Sequence, residues 1–135
     1  MRSPRILLAD DHPDLLKKIS RLLETEFEVV GAVEDGQALI SAAAALQPDV
    51  VIIDITMPVI NGIEAARQLK QAASPTKIIF LTIHEDPDFR SEALATGALG
   101  YVLKSRLTLD LIPAIHEVIA NNSFISPFQA INGNK

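Results

Sequence analysis

Three carboxylates follow directly after apolar runs in this chain. The run from Ile6 to Ala9 ends in the pair Asp10-Asp11, and the run from Val50 to Ile53 ends in Asp54. The second run contains only β-branched residues, which is typical of a strand buried on both faces. Ligand crevices in open parallel α/β sheets form at the carboxyl ends of strands, so acids there are candidates for chemistry. The structural alternatives are a turn cap at Asp54 and a helix N-terminal acid pair at Asp10-Asp11.

Two further strand patterns end in a hydroxyl, Thr82, and in a cation, Lys104. In a parallel sheet all of these side chains reach one rim. Crowded carboxylates raise one another's pKa unless a cation intervenes, and their oxygens suit Mg²⁺. The lysine and the hydroxyl can bind phosphoryl oxygens. The set predicts transfer of a phosphoryl group to a carboxylate, with Asp54 on the central strand as the nucleophile and the acid pair free to hold metal.

The elements that position these side chains alternate along the chain. Strand patterns cover residues 5–9, 28–33, 50–53, 77–82 and 100–104, and the second is mixed enough to indicate an edge. Five helical patterns follow these strands, the third from about Ile63 to Ala73 and the last ending near Asn121-Asn122. Hairpin signals are absent, so the connections should be right-handed crossovers. The pattern therefore predicts an α/β fold with a doubly wound, five-stranded parallel sheet and five helices.

The end of the chain carries two further expectations. Pro113 lies within the last helical pattern, and we expect either a late start with Asp110 as cap and Pro113 in the first turn, or a kink; the late start is favoured. Residues 123–135 lose periodicity and predict a tail or linker after a domain spanning residues 1–122.

Composition limits the classes of function. The chain has 135 residues, a formal charge of -5 and no cluster of lysine and arginine, which argues against a nucleic-acid-binding body. It contains no cysteine, which excludes disulfides and thiolate chemistry and is compatible with a reducing cytoplasm. The first apolar run is too short for a signal peptide or a membrane span, so we expect a soluble, cytoplasmic protein.

The pattern resembles the receiver domain of bacterial two-component response regulators. The resemblance covers Arg5 to about Asn121 and is carried by Asp10-Asp11, Asp54, Met57-Pro58, Gly62, Thr82, Tyr101 and Lys104. Three stretches look particularly like the subfamily with a LuxR-type helix-turn-helix output domain: Leu8-Ala9-Asp10-Asp11-His12-Pro13, Val30-Gly31-Ala32 and Gly100-Tyr101-Val102-Leu103-Lys104. The resemblance implies a flavodoxin-like strand order of 2-1-3-4-5.

The resemblance also implies roles. Asp54 would accept a phosphoryl group from a phosphohistidine of a sensor kinase, and Mg²⁺ would be held by Asp11, Asp54 and the backbone carbonyl of Thr56, with Asp10 helping through water. Thr82 and Lys104 would move to the phosphoryl group, and Tyr101 would turn inward into space that Thr82 vacates. The responding face would be the fourth helix, fifth strand and fifth helix. DNA binding would belong to an output domain outside this chain. A homodimer through the first and fifth helices, or through the fourth, is compatible with this interpretation.

Some residues depart from the family pattern or modulate it. Ser105 follows Lys104 where many receivers have proline, which weakens the expectation of a cis peptide there. Thr56 and His84 lie two residues beyond Asp54 and Thr82, and we expect them to border the water path to the phosphoaspartate and to set its lifetime. His12 fits an ordinary helix position, and His84 has no partner histidine in the motif for metal binding.

Three rival functions remain at this point. A haloacid-dehalogenase-type phosphatase also uses an aspartyl nucleophile, but needs an acid where this chain has Thr56. A receiver that is never phosphorylated would act only as an interaction module, although the complete set of Asp10, Asp11, Asp54, Thr82 and Lys104 argues against this. A flavin-binding domain would need a phosphate-binding loop rich in glycine, serine and threonine after the first strand, and the chain has none there.

Overall fold

The computed structural model describes residues 3–72 and 74–128. Its strands are β1 Arg5–Ala9, β2 Glu28–Val33, β3 Val50–Ile53, β4 Lys77–Thr82, β5 Gly100–Leu103 and β6 Phe124–Ile125. Its helices are α1 Pro13–Leu23, α2 Gly36–Leu46, α3 Gly62–Gln71, α4 Pro87–Leu94 and α5 Leu107–Ile119, with a 3-10 turn at Lys104–Arg106. Ala73, the predicted end of the third helix, lies outside the described residues.

All strand pairs are parallel, and the strand order is β2-β1-β3-β4-β5-β6. The predicted order of the first five strands and the edge position of β2 are confirmed. The prediction of five strands is wrong, because a sixth strand covers the edge of β5. Phe124 N donates to Leu99 O at 2.9 Å and Ser126 N donates to Tyr101 O at 2.8 Å. Residues 124–126, predicted as part of a tail or linker, thus join the sheet; residues 129–135 lie outside the described part.

Two apolar layers cover the sheet. Helices α2, α3 and α4 pack on one face, where Val51 and Ile53 point, and α1 and α5 pack on the other, where Val50 and Ile52 point. All four residues of β3 are buried. The apolar run before Asp54 is therefore covered on both faces, as its composition predicted. Among the described residues, no helix combines the length and the apolarity that a membrane crossing requires.

Helix α5 begins at Leu107, so the predicted late start at Asp110 is wrong. Asp110 does not cap the helix; it is buried and accepts hydrogen bonds from Arg106 and Ser126. The helix continues through Pro113, which lacks the donor that would bond the carbonyl of Leu109 one turn earlier. Leu109 is exposed, so that carbonyl lies on the side of the helix where water is available. The Lys104-Ser105 peptide is trans.

Gly62 begins α3 where that helix passes over the end of β3. A Cβ at this position would collide with the backbone oxygen of Asp54 and crowd Ile53 Cγ2. Gly62 N also donates to Ile55 O at 2.8 Å, which fixes the crossing. The absence of a side chain lets the β3–α3 loop fold back directly beneath Asp54.

The same loop contains a strained turn at Val59. Its φ is +70°, and Ile60 N donates to Pro58 O at 2.8 Å, the two-residue bond of a γ-turn. This left-handed backbone costs a β-branched residue about 1–2 kcal/mol, and the side chain is 78 % exposed, so packing does not repay it.

We expect Val59→Gly to stabilise the fold by about 1 kcal/mol, because relief of the strain exceeds the extra entropy that glycine gives the unfolded chain. This corresponds to a rise in Tm of about 4 °C, measured by thermal unfolding. Val59→Ala is the matched control, because it removes the branch but keeps the Cβ, and it should stabilise less. A glycine variant that melts at or below the wild-type temperature would contradict the strain.

Candidate functional site

Asp54 follows β3 and is 4 % exposed. Its backbone N–H continues the ladder by donating to Ala9 O at 2.9 Å, which places the side chain at the carboxyl rim of the sheet. Oδ1 accepts a hydrogen bond from Thr56 N at 3.2 Å, and Oδ2 accepts one from Lys104 Nζ at 3.3 Å. Burial and the neighbouring Asp10 raise the pKa of Asp54, and the lysine opposes them only in part.

Lys104, at the end of β5, connects two acids that come from different strands. Its Nζ lies 2.8 Å from Asp10 Oδ2 and 3.3 Å from Asp54 Oδ2. Burial lowers the pKa of Lys104, but the two carboxylates outweigh it and the net shift is upward. The side chain therefore carries its charge and holds the two carboxylates together.

The two acids after β1 complete a cluster with Asp54. Ligand atoms of Asp10, Asp11, His12 and Asp54 all lie within 4.8 Å of one another. Asp11 Oδ1 is a buried atom that accepts no hydrogen bond, with His12 Nδ1 3.0 Å away, whereas Asp10 Oδ2 is ion-paired with Lys104 Nζ at 2.8 Å. Several carboxylate oxygens this close together are the kind of donor set that a hard divalent cation takes. Asp10, Asp11 and Asp54 could therefore bind a metal.

His12 is a member of this cluster that the sequence interpretation assigned to an ordinary helix position. Its Nδ1 lies 2.7 Å from Asp10 Oδ1 and 3.0 Å from Asp11 Oδ1, and its backbone N donates to Asp10 Oδ1. The hydrogen bond to Asp10, and then the charges of both acids, raise the pKa of His12. Its position next to the acid pair was the signal in the sequence, because the turn into α1 folds the imidazole back over the carboxylates.

Thr82 and Tyr101 both contact the loop that follows β4. Thr82 is fully buried, and its Oγ1 accepts a hydrogen bond from His84 N at 3.1 Å. Tyr101 is also fully buried, and its hydroxyl donates to His84 O at 2.8 Å. Burial raises the pKa of Tyr101 to about 12. The ring thus points inward, and its hydroxyl is bonded to the loop that follows β4.

Thr56 and His84 meet across the site. Thr56 Oγ1 lies 3.0 Å from His84 Nε2, and the imidazole stacks on Phe89 with a centroid separation of 4.3 Å. Both residues line the open cleft above Asp54, whose volume is about 800 Å³. Its walls also include Asp11, His12, Pro13, Asp14, Leu15, Ile83 and Lys104. The pair therefore forms one side of the entrance to Asp54.

Comparison with known proteins gives a consistent result. The family model described as response regulator receiver domain matches residues 6–116. The transcriptional regulatory protein DegU of Brevibacillus brevis is 38% identical over 125 residues, which are 91% of this chain and 53% of DegU. The chain thus spans about half the length of this curated relative.

Two solved structures are similar over nearly the whole chain. One is a LuxR-family two-component response regulator from Aurantimonas sp. SI85-9A1, with a TM-score of 0.88 and 34% identity over 93% of this chain and 91% of that one. The other is the isolated REC domain of RcsB from Salmonella enterica serovar Typhimurium with the phosphomimetic BeF3-. Its TM-score is 0.85 and its identity 32%, over 93% of this chain and 94% of that one.

Proposed function

Because the chain belongs to the response regulator receiver domain family and its relatives include LuxR-family regulators, we propose that Asp54 is its phosphoacceptor. The phosphoryl donor would be a phosphohistidine on a cognate sensor histidine kinase. The observation that carries the proposal is that Asp54 and Lys104 lie in contact in one cleft, while the buried Asp10 of a third strand end holds Lys104. This arrangement presents a carboxylate nucleophile beside a fixed positive charge.

The transfer requires one bond to form and one to break. A carboxylate oxygen of Asp54 attacks the phosphorus, the phosphorus–nitrogen bond of the donor breaks, and the imidazole leaves with the bonding electron pair. Lys104 can follow the negative charge from Asp54 to the phosphoryl oxygens, and the Thr82 hydroxyl, which accepts a bond from His84 N, retains its own proton to donate to another of them.

The metal in this proposal is Mg²⁺, held by Asp11, Asp54 and the backbone carbonyl of Thr56, with Asp10 acting through water. The fit depends on the closeness of the three carboxylates and on Asp11 Oδ1, a buried oxygen that accepts no hydrogen bond. Bound there, Mg²⁺ would supply positive charge to the oxygens of the phosphoryl group. Asp10 remains paired with Lys104, which keeps that ammonium directed at the nucleophile.

The proposed response involves the face formed by α4, β5 and α5. A phosphoryl group on Asp54 attracts Thr82 and Lys104, and Tyr101 reports the change because it is bonded to the backbone of His84. The phosphoryl group can bias this equilibrium only as far as it binds one conformation better. The longer relatives are transcriptional regulators, so control of a DNA-binding output domain and formation of a homodimer belong to the same proposal.

Incubation with acetyl phosphate and Mg²⁺, followed by intact mass spectrometry, tests this function. We expect a mass increase of one phosphoryl group that disappears when EDTA replaces Mg²⁺. An unchanged mass would instead favour a receiver that acts as an interaction module without phosphorylation. Sustained hydrolysis of a generic phosphate ester would favour the haloacid-dehalogenase alternative. Enzymes of that type need an acid at the position where this chain has Thr56.

Thr56 and His84 give a prediction about the lifetime of the phosphoaspartate. Thr56→Ala and His84→Ala should each speed its decay about fivefold, because loss of their contact, worth about 1 kcal/mol, opens the entrance to water. The double variant should be less than additive, since both changes remove the same contact. The measurement is loss of ³²P after removal of the donor.

Thr108→Ala is the control for these variants, because Thr108 is an exposed residue of α5 away from the cleft. Its decay time should equal that of the wild type. Decay times that stay unchanged in both Thr56→Ala and His84→Ala would refute a role for the pair.

A further inference from the structure

The chain after α5 returns to the sheet and is attached to β5 by its backbone. We call residues 124–128 the β6 segment; its first two residues, Phe124 and Ile125, pair in register with Gly100 and Tyr101. Ser126 N donates to the carbonyl of Tyr101 itself, at 2.8 Å. The backbone of the only tyrosine in the chain is therefore held by this segment.

Ser126 anchors the segment through a buried polar network. Its side chain is fully buried; Oγ donates to Asp110 Oδ2 at 2.6 Å and accepts from Leu103 N at 3.1 Å. Asp110 is also held by Arg106 through contacts of 2.7 and 3.3 Å. Burial alone would raise the pKa of Asp110, but the bonds from Arg106 and Ser126 lower it, so the carboxylate is charged and its bonds are strong. The network ties the segment to both β5 and α5.

Phe128 covers the side chain of Tyr101. The two ring centroids lie 6.0 Å apart at an angle of 47°, a favourable tilted arrangement. The guanidinium of Arg90, from α4, lies over the face of the Phe128 ring, 4.5 Å from its centroid, in a cation–π contact. Phe128 thus contacts Tyr101 of β5 and Arg90 of α4, while the Tyr101 hydroxyl is bonded to His84 O.

We propose that contacts of the β6 segment by themselves favour the inward position of Tyr101, and that Phe128 and Ser126 are positioning residues for this tyrosine. The inference rests on the proposed function in treating Tyr101 as the residue that responds to phosphorylation. An outward movement of the ring must break the bond to His84 and abandon the contact with Phe128. The segment and the phosphoryl group therefore favour the same conformation, and release of the segment must reduce the inward population.

Phe128→Ala tests this directly, because the chain has one tyrosine and no tryptophan, so its fluorescence reports Tyr101 alone. A lost aromatic contact changes the ratio of inward to outward rings by about fivefold. We expect stronger quenching of the fluorescence by acrylamide, and a shifted resonance of ring-¹³C tyrosine, in the 135-residue protein without phosphodonor. Phe128→Leu keeps an apolar cover and should give an intermediate value. Thr108→Ala, at an exposed position of α5 outside the segment, should match the wild type.

The same variants distinguish this inference from the proposed function. Acetyl phosphate with Mg²⁺ should restore protection of Tyr101 in Phe128→Ala. If the wild-type mass does not increase with the donor, the proposed function fails, but the comparison of quenching without donor still decides the role of the segment. Equal quenching in the wild type, Phe128→Leu and any folded Phe128→Ala protein, with folding checked by circular dichroism, would overturn the inference. The leucine variant decides the matter if the alanine variant does not fold.

Discussion

Asp54→Asn should abolish phosphoryl uptake from acetyl phosphate, because the amide replaces the one carboxylate that lies at the floor of the cleft beside Lys104. The substitution keeps the shape of the side chain and removes the nucleophilic oxygen. It also removes one of three acids from the metal cluster, so Mg²⁺ should raise the Tm of this variant less than that of the wild type. Intact mass and thermal unfolding, each with and without Mg²⁺, measure both effects.

Asp14→Asn is the matched control for this change. Asp14 also lines the cleft, but it is exposed and lies outside the metal cluster, so the variant makes the same change of charge. It should be phosphorylated like the wild type. Phosphoryl uptake that persists in Asp54→Asn would show that another residue is the acceptor. Uptake that is lost equally in both variants would show that it depends only on the net charge of the cleft.

Lys104→Met should have the second largest effect, and it should act on both rate and stability. Loss of a fixed charge that follows the transferring group should slow phosphorylation by about 100-fold. The variant also leaves Asp10 and Asp54 buried and without their shared cation, which should lower the free energy of unfolding by about 3 kcal/mol in EDTA. Mg²⁺ should restore most of this stability, because it supplies the missing positive charge to the same carboxylates.

Lys77→Met is the control for Lys104→Met, because Lys77 begins β4 at the opposite rim of the sheet. It should change neither the phosphorylation rate nor the response to Mg²⁺. The rate is measured as the initial increase of the phosphorylated mass, and stability by denaturant unfolding with and without Mg²⁺. If the two lysine variants behave alike, the contacts of Lys104 with the acids contribute neither to the phosphorylation rate nor to the response to Mg²⁺.

The features that sequence reasoning predicted are those set by local pattern. A four-residue apolar run placed Asp54 at the end of β3, and the alternation of strands and helices implied that the other strand ends share its rim. The convergence of Asp10, Asp54 and Lys104 follows from parallel strands alone. The contacts among them could not be predicted, because they depend on the side-chain conformations that burial selects.

The features that it missed depend on distant parts of the chain. Strand β6 has two residues, too few for any periodicity, and is held by the bonds of Ser126 to β5 and α5. The same bond explains the error at α5, because Asp110 looked like a helix cap and serves instead as the partner of Ser126 and Arg106. At Val59 the residue type opposes the backbone it adopts, so no local preference predicted a γ-turn there.

The position of the phosphoryl group on the chain decides whether Asp54 is the acceptor. The protein is treated with acetyl phosphate and Mg²⁺, reduced with sodium borohydride to convert the acyl phosphate into homoserine, digested and sequenced by tandem mass spectrometry. We expect homoserine at position 54 and at no other acid. Homoserine at Asp10 or Asp11, or an unmodified Asp54 in a protein that has gained the mass of a phosphoryl group, would contradict it.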